Sequence, residues 1–245
     1  MFVERFMAWS VSAGVDQRAE AIGQLAKTYL NEVIVKEDQS PTEQVFTLYL
    51  NDPSAKVRKA MAGALAVSKL TPRALVWSLI HDTTEVAVEI YSHSPLLRSV
   101  DLIHAIKQDD PLIQIAIAKR DELNGDVVRA LVVGAGERAV EQLLKNSNVV
   151  LGPGLKHDIA TRLGGVPFIR AYLLEEQDIL PATRQMLVHK LSNSLLSYVD
   201  ENGWGNNHRL SHTANDACNR VAIEIAMDIN SDDMAAYVQH LKETA

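Results

Sequence analysis

An all-α fold is predicted for this chain: an irregular α-solenoid of stacked helical pairs, followed by a helical C-terminal region. Three observations predict it. A unit opening at Asn51-Asp52-Pro53 and running through Val57-Arg58 to Leu65 is half-repeated three times. Its punctuation returns at His81-Asp82, at Asp109-Asp110-Pro111 and at Gly134-Ala135-Gly136, a spacing of roughly 25–30 residues that suits stacked helix pairs. Between these marks apolar residues recur at helical spacing, and no stretch sustains strict apolar–polar alternation. About twelve to fifteen helices and no sheet are expected on that pattern.

The elements follow in order. Two N-terminal helices are predicted over 2–12 and 16–35, the second placing Ala19, Ile22, Ala26, Tyr29 and Val33 on one face. A polar linker over 36–40 follows. Ser40-Pro41, Asp52-Pro53, Thr71-Pro72 and Asp110-Pro111 each join a capping side chain to a proline, and each reads as a helix start. The cap oxygen accepts from an orphan amide, and proline has no N–H to leave unpaired there. Ser40 and Glu43 also fit a reciprocal capping box. Val45, Leu48 and Tyr49 make one stripe, Val57, Met61, Ala64, Leu65 and Ser68 the next, and Leu75, Leu79 and Ile80 a third. Pro95, Pro153, Pro167 and Pro181 mark further breaks or starts.

Three regions result: 1–40 as N-terminal helices capping the stack, 41–154 as degenerate repeats, and 155–245 as a C-terminal helical region. A turn-rich break spans 146–154. Beyond it the helices lengthen, to roughly 179–200, 211–229 and 231–243 by the same pattern. Ala214, Ala217, Cys218, Val221, Ile225 and Ile229 form one stripe there, and 200–207 is a polar loop holding Trp204.

Composition narrows the function classes. The 47% hydrophobic content supports a packed core, and 5% aromatics leaves that core to small and aliphatic residues. A net charge of −7 argues against general affinity for nucleic acid or anionic membrane. The single cysteine, Cys218, rules out an intramolecular disulfide and fits a reducing cytoplasm. No segment reaches the roughly 18–20 apolar residues of a membrane span.

The Asp52…Val57-Arg58 spacing resembles the HEAT repeat, in which an Asp and a Val-Arg pair build a polar ladder between neighbouring units. Only the first unit keeps all three residues; the second has Asp82 and Val86 without the arginine. The resemblance therefore implies a ladder of one rung. Over a longer stretch, Phe2-Val3-Glu4-Arg5-Phe6, Arg18-Ala19-Glu20-Ala21, Asn51-Asp52-Pro53-Ser54, Ser94-Pro95-Leu96-Leu97 and Ile117-Ala118-Lys119-Arg120 are similar to a family of uncharacterised bacterial HEAT-like proteins, found mainly in alphaproteobacteria. That resemblance implies a helical-repeat fold and a chain that runs past the position of Ala245. It implies no catalytic residues and no cofactor.

Several groups invite a chemical reading. Lys56, Arg58, Lys59, Lys69 and Arg73 give residues 51–75 five positive charges against Asp52 alone, a ridge able to meet phosphate or an acidic partner. HEAT-like DNA glycosylases need a carboxylate in an aromatic-lined cleft; Trp77 and Tyr91, with Glu85 and Glu89 between them, offer those residue types, and the competing reading is core packing with exposed glutamates. Trp204 is either an exposed binding residue or a plug at the end of the stack. His208 and His212 stand four apart, as helical metal ligands can, but lack a His-Glu-x-x-His pattern and read as surface histidines. Gly134 and Gly136 read as a turn, not a dinucleotide site, because no strand precedes them.

The expected function is a non-catalytic scaffold or adaptor that binds another protein through Lys56, Arg58, Lys59 and Arg73 or through Trp204, in the cytoplasm and without cofactor. Alternatives are a DNA-binding repair enzyme and a subunit that self-assembles through its C-terminal helices.

Overall fold

The computed structural model describes residues 2–31, 36–203, 207–228 and 231–244. They form fifteen α-helices, with no strand among the described residues. The chain divides into two compact units, Met1–Asn146 and Ser147–Ala245.

The first unit contains α1 (Phe2–Ser12), α2 (Val15–Leu30), α3 (Lys36–Tyr49), α4 (Ala55–Ala66), α5 (Arg73–Ile80), α6 (Thr84–His93), α7 (Ser99–Lys107), α8 (Pro111–Ala118), α9 (Gly125–Gly134) and α10 (Glu137–Leu144). The even-numbered helices form one consecutive row, α2 on α4, α4 on α6, α6 on α8 and α8 on α10. Among the others, α1 packs on α3 and α7 on α9. Ile22, Phe46, Met61, Leu65, Leu79, Ile90, Ile117, Leu131 and Leu143 are fully buried in this unit. Most positions of the stripes read from the sequence are therefore its core; Leu48 is exposed, and Tyr29, Ala64 and Ser68 are half-buried.

The proline grammar holds at one site and shifts at three. Asp110 caps α8, its carboxylate accepting from the amides of Leu112 and Ile113, with Pro111 opening the helix. At Asp52-Pro53 the helix starts two residues later, after Ser54, and the Asp52 carboxylate accepts from the Ser54 amide. Thr71 lies inside the fold and donates to the Leu65 carbonyl (2.6 Å), while Pro72 occupies the cap position of α5. The predicted linker over 36–40 is helix: α3 begins at Lys36 and carries Pro41 inside it. Pro41 is the sixth residue of α3, so the helix forgoes the amide hydrogen bond that position 41 would make to the carbonyl of residue 37. Ser40 is thus no cap, and Glu43 accepts from the Tyr29 hydroxyl (2.6 Å). The helix predicted over 16–35 ends at Leu30, and Val33 lies outside the described residues.

A polar ladder joins the row, and it is longer than the repeat pattern implies. Arg18, fourth residue of α2, grips Asp52 with both arms of its guanidinium (2.9 and 3.2 Å) and donates to the Ala13 carbonyl. Arg58, fourth residue of α4, does the same to Asp82 (2.7 and 2.8 Å) and to the Asp52 carbonyl (2.6 Å). The fourth residue of α6 is Ala87, and Thr84 one turn earlier donates to Asp110 instead (2.8 Å). Gln114, fourth residue of α8, accepts from the Gly136 amide and donates to the Ile106 carbonyl. Ionic partners at the start of the row give way to neutral ones at its end. Planar, two-armed contacts suit Arg, because its donors form a rigid fork.

The second unit contains α11 (Pro153–Leu163), α12 (Pro167–Glu175), α13 (Pro181–Glu201), α14 (Asn207–Asp228) and α15 (Ser231–Thr244). Prolines open α11, α12 and α13, as their placement predicts. The long α13 packs against α11, α12, α14 and α15. Lys156 buries its ammonium against Glu176 (2.6 Å) and Asp178, tying α11 to the turn between α12 and α13. In the C-terminal stripe Cys218 and Ile225 are buried and Ala217 is exposed; Ile229 lies outside the described residues.

Gly164 ends α11 at a close approach. A Cβ there would press into the Ala160 carbonyl and come within 2.9 Å of Leu187 Cδ2. Gly164→Ala is expected to destabilise the protein by about 1–3 kcal/mol through overpacking. Gly165→Ala, with open space around its Cβ position, is expected to stay within about 0.5 kcal/mol of wild type in parallel urea melts.

Candidate functional site

The row of even-numbered helices leaves an open groove across α2, α4 and α6. Its volume is about 560 Å³. Small residues at helical spacing make its floor: Ala19 and Gly23 on α2, and Ala60, Gly63 and Ala64 on α4. Two helices with small residues at their contact approach closely and leave little side-chain bulk above it. A Cβ on Gly63 would come 3.3 Å from Glu89 Oε2, so this glycine makes room for a charged wall. Glu20, Gln24 and Lys27 rise from α2, Lys56 and Lys59 from α4, and Glu89 from α6.

The charges on the walls are paired across helices. Lys56 Nζ lies 2.6 Å from Asp16, and Lys59 Nζ lies 3.5 Å from Glu89. The Lys56 hydrogen bond holds the Asp16 carboxyl below the usual aspartate range. Both lysines are solvent-accessible, and pairs of that kind exchange partners at little cost. An incoming carboxylate can therefore replace Asp16 or Glu89 as the lysine partner.

The ridge read from the sequence separates into three places. Lys56 and Lys59 line the groove. Arg58, between them in sequence, turns inward to Asp82 and keeps only 14% of its side chain exposed, so it is a rung of the ladder and not a binding residue. The ordinary helical turn explains this, since residues two apart on a helix do not share a face. Arg73 borders a separate cleft of about 130 Å³ with Trp77, Arg98 and Asp101, at the starts of α5 and α7.

The remaining candidates are placed as follows. Tyr91 is buried, Glu85 is exposed and Glu89 faces the groove, while Trp77 borders the other cleft. These four residues thus do not line a common pocket. Trp204 and the side chain of His208 lie outside the described residues. His212 is exposed and meets Asp216 of its own helix at 3.1 Å. Among the described residues, no group of three or more His, Cys, Asp or Glu side chains is placed to hold a metal ion. None of the helices, among the described residues, is long and apolar enough to cross a membrane.

Sequence reasoning missed Lys27 and the floor of the groove. Lys27 lies 29 residues before Lys56 and meets it only because α2 stacks on α4. The available signal was the repeated placement of small residues at i and i+4, Ala19 with Gly23 and Ala60 with Ala64.

The profile of a family described as an uncharacterised protein conserved in bacteria (DUF2336) matches residues 86–245. No curated protein and no solved structure matches the chain. The matched stretch takes in most of α6 and everything after it, so α2 and α4 precede it.

Proposed function

This chain belongs to DUF2336, the family of uncharacterised proteins conserved in bacteria, and we propose that it is a non-catalytic scaffold whose groove across α2, α4 and α6 binds an acidic segment of another protein. One observation carries the reading: an open groove with a small-residue floor and three lysines, Lys27, Lys56 and Lys59, against two glutamates, Glu20 and Glu89. The floor admits a backbone at close range, and the lysines orient and select its side chains. A HEAT-like stack of helices presents such a surface without enclosing a reaction. The lone cysteine accords with work in a reducing cytoplasm.

The test is mass spectrometry of proteins co-purifying with the tagged wild-type chain and with Lys56→Glu/Lys59→Glu. Both lysines are exposed, so the variant is expected to fold with an unchanged helical spectrum. A protein enriched by the wild type and lost from the variant supports the reading, and its retention should weaken as salt rises. Equal recovery of the same proteins by both chains would remove the groove from consideration. Enrichment of duplex DNA instead would favour a repair-type activity.

A further inference from the structure

The long helices α13 and α14 leave an apolar groove of about 350 Å³ between them, lined by Val188, Leu191 and Leu195 from α13 and by Leu210, Ala217 and Val221 from α14. Of the side chains that line it, Leu195 is 57% exposed. An open groove walled by aliphatic side chains of two helices marks an interaction surface. Helices of 21 and 22 residues are roughly 30 Å long, and side by side they offer a face of roughly 600 Å². Two such faces together bury roughly 1,200 Å², the lower end of the range for specific interfaces.

The charges beside the groove identify the occupant. Arg209, Asp216, Arg220 and Glu224 follow one another along the edge of α14 next to Ala217, all exposed. Their signs alternate. Laid antiparallel against another α14, crossing at Ala217 and Cys218, Arg209 comes within two residues of the partner's Glu224, and Asp216 within two of the partner's Arg220. Two residues of helix are only about 3 Å, within reach of these side chains. A uniformly acidic or basic helix would meet like charge at half of the four positions. A second α14 meets opposite charge at all of them. Exposed Ala217, at the crossing point, lets the two backbones approach.

We infer that a second copy of this chain covers the face formed by α13 and α14, in a two-fold dimer. An isologous interface requires a patch complementary to itself, and this edge has that property. The inference stands apart from the groove across α2, α4 and α6, and failure of either leaves the other intact.

Sedimentation equilibrium of the whole chain tests it. Twice the chain mass of 27.0 kDa is expected. Ala217→Arg, a change at an exposed position, is expected to return the mass to 27.0 kDa with helical content kept. Asp216→Arg and Arg220→Asp should each weaken association by about tenfold or more, and the double variant should restore it, since swapped charges again face opposite sign. A monomer at every concentration overturns the inference. So does a dimer indifferent to Ala217→Arg, which would place the interface elsewhere, and so does a charge double variant that stays weak.

Discussion

Arg58→Ala is expected to lower the stability of the first unit by about 3 kcal/mol, because it leaves the Asp82 carboxylate without its partner in a site only 12% exposed. The loss is larger than an exposed ion pair would cause, since solvent reaches neither group well enough to replace the contact. It also removes the Arg58 bond to the Asp52 carbonyl, so the neighbouring rung loosens. Urea denaturation measures the effect. Arg58→Ala/Asp82→Ala is expected to recover part of it, because no unpaired charge is then left behind. A loss below about 0.5 kcal/mol would show that the rung is ornamental.

The same pair fixes a pH dependence. The hydrogen bonds from Arg58, joined by the Thr83 amide, hold the Asp82 carboxyl below its usual range. A carboxyl with a depressed folded-state pKa binds fewer protons folded than unfolded. Its contribution is complete above the unfolded value of about 4 and is lost as pH falls through the lower folded value. Melts from neutral pH downward should therefore lose stability more steeply in the wild type than in Asp82→Asn.

The second large effect is Leu65→Ala, with an expected cost of about 2–5 kcal/mol. Leu65 is fully buried in α4, and α4 has α2 on one side and α6 on the other. Packed neighbours on both sides limit the collapse that would fill the cavity, which puts the cost toward the upper end. Leu70→Ala, at a side chain 57% exposed, is the matched control and should change stability by less than about 0.5 kcal/mol.

The residues that were legible in the sequence are those whose partners lie within one helix or one turn. Val57, Met61 and Leu65 are core because their spacing alone places them on one face. Asp110-Pro111 caps α8 because both donors lie within three residues of the aspartate. Ser40-Pro41 carries the same letters but falls inside α3, past its first turn, so the letters alone did not mark the start. The rung from Arg18 to Asp52 spans 34 residues and starts in a helix with no preceding Asp…Val-Arg pattern, so spacing gave no sign of it. The candidate site was half visible for a related reason. Lys56 and Lys59 stand out by charge, but only the stacking of helices brings Lys27 beside them and turns Arg58 away.

The ladder also bears on how the first unit acquires its structure. Its rungs join residues 34, 24, 26 and 22 apart, so no rung requires the ends of the unit to meet. Short loops close at small entropic cost, and chains rich in such local contacts fold quickly. Each helix of the row can be added to the one before it as it emerges, with Arg58 waiting only for Asp82 and Thr84 only for Asp110. Opening can likewise begin at one end of the row and stop at the next rung, so amide protons in α4 and α6 should exchange with solvent more slowly than those in α10.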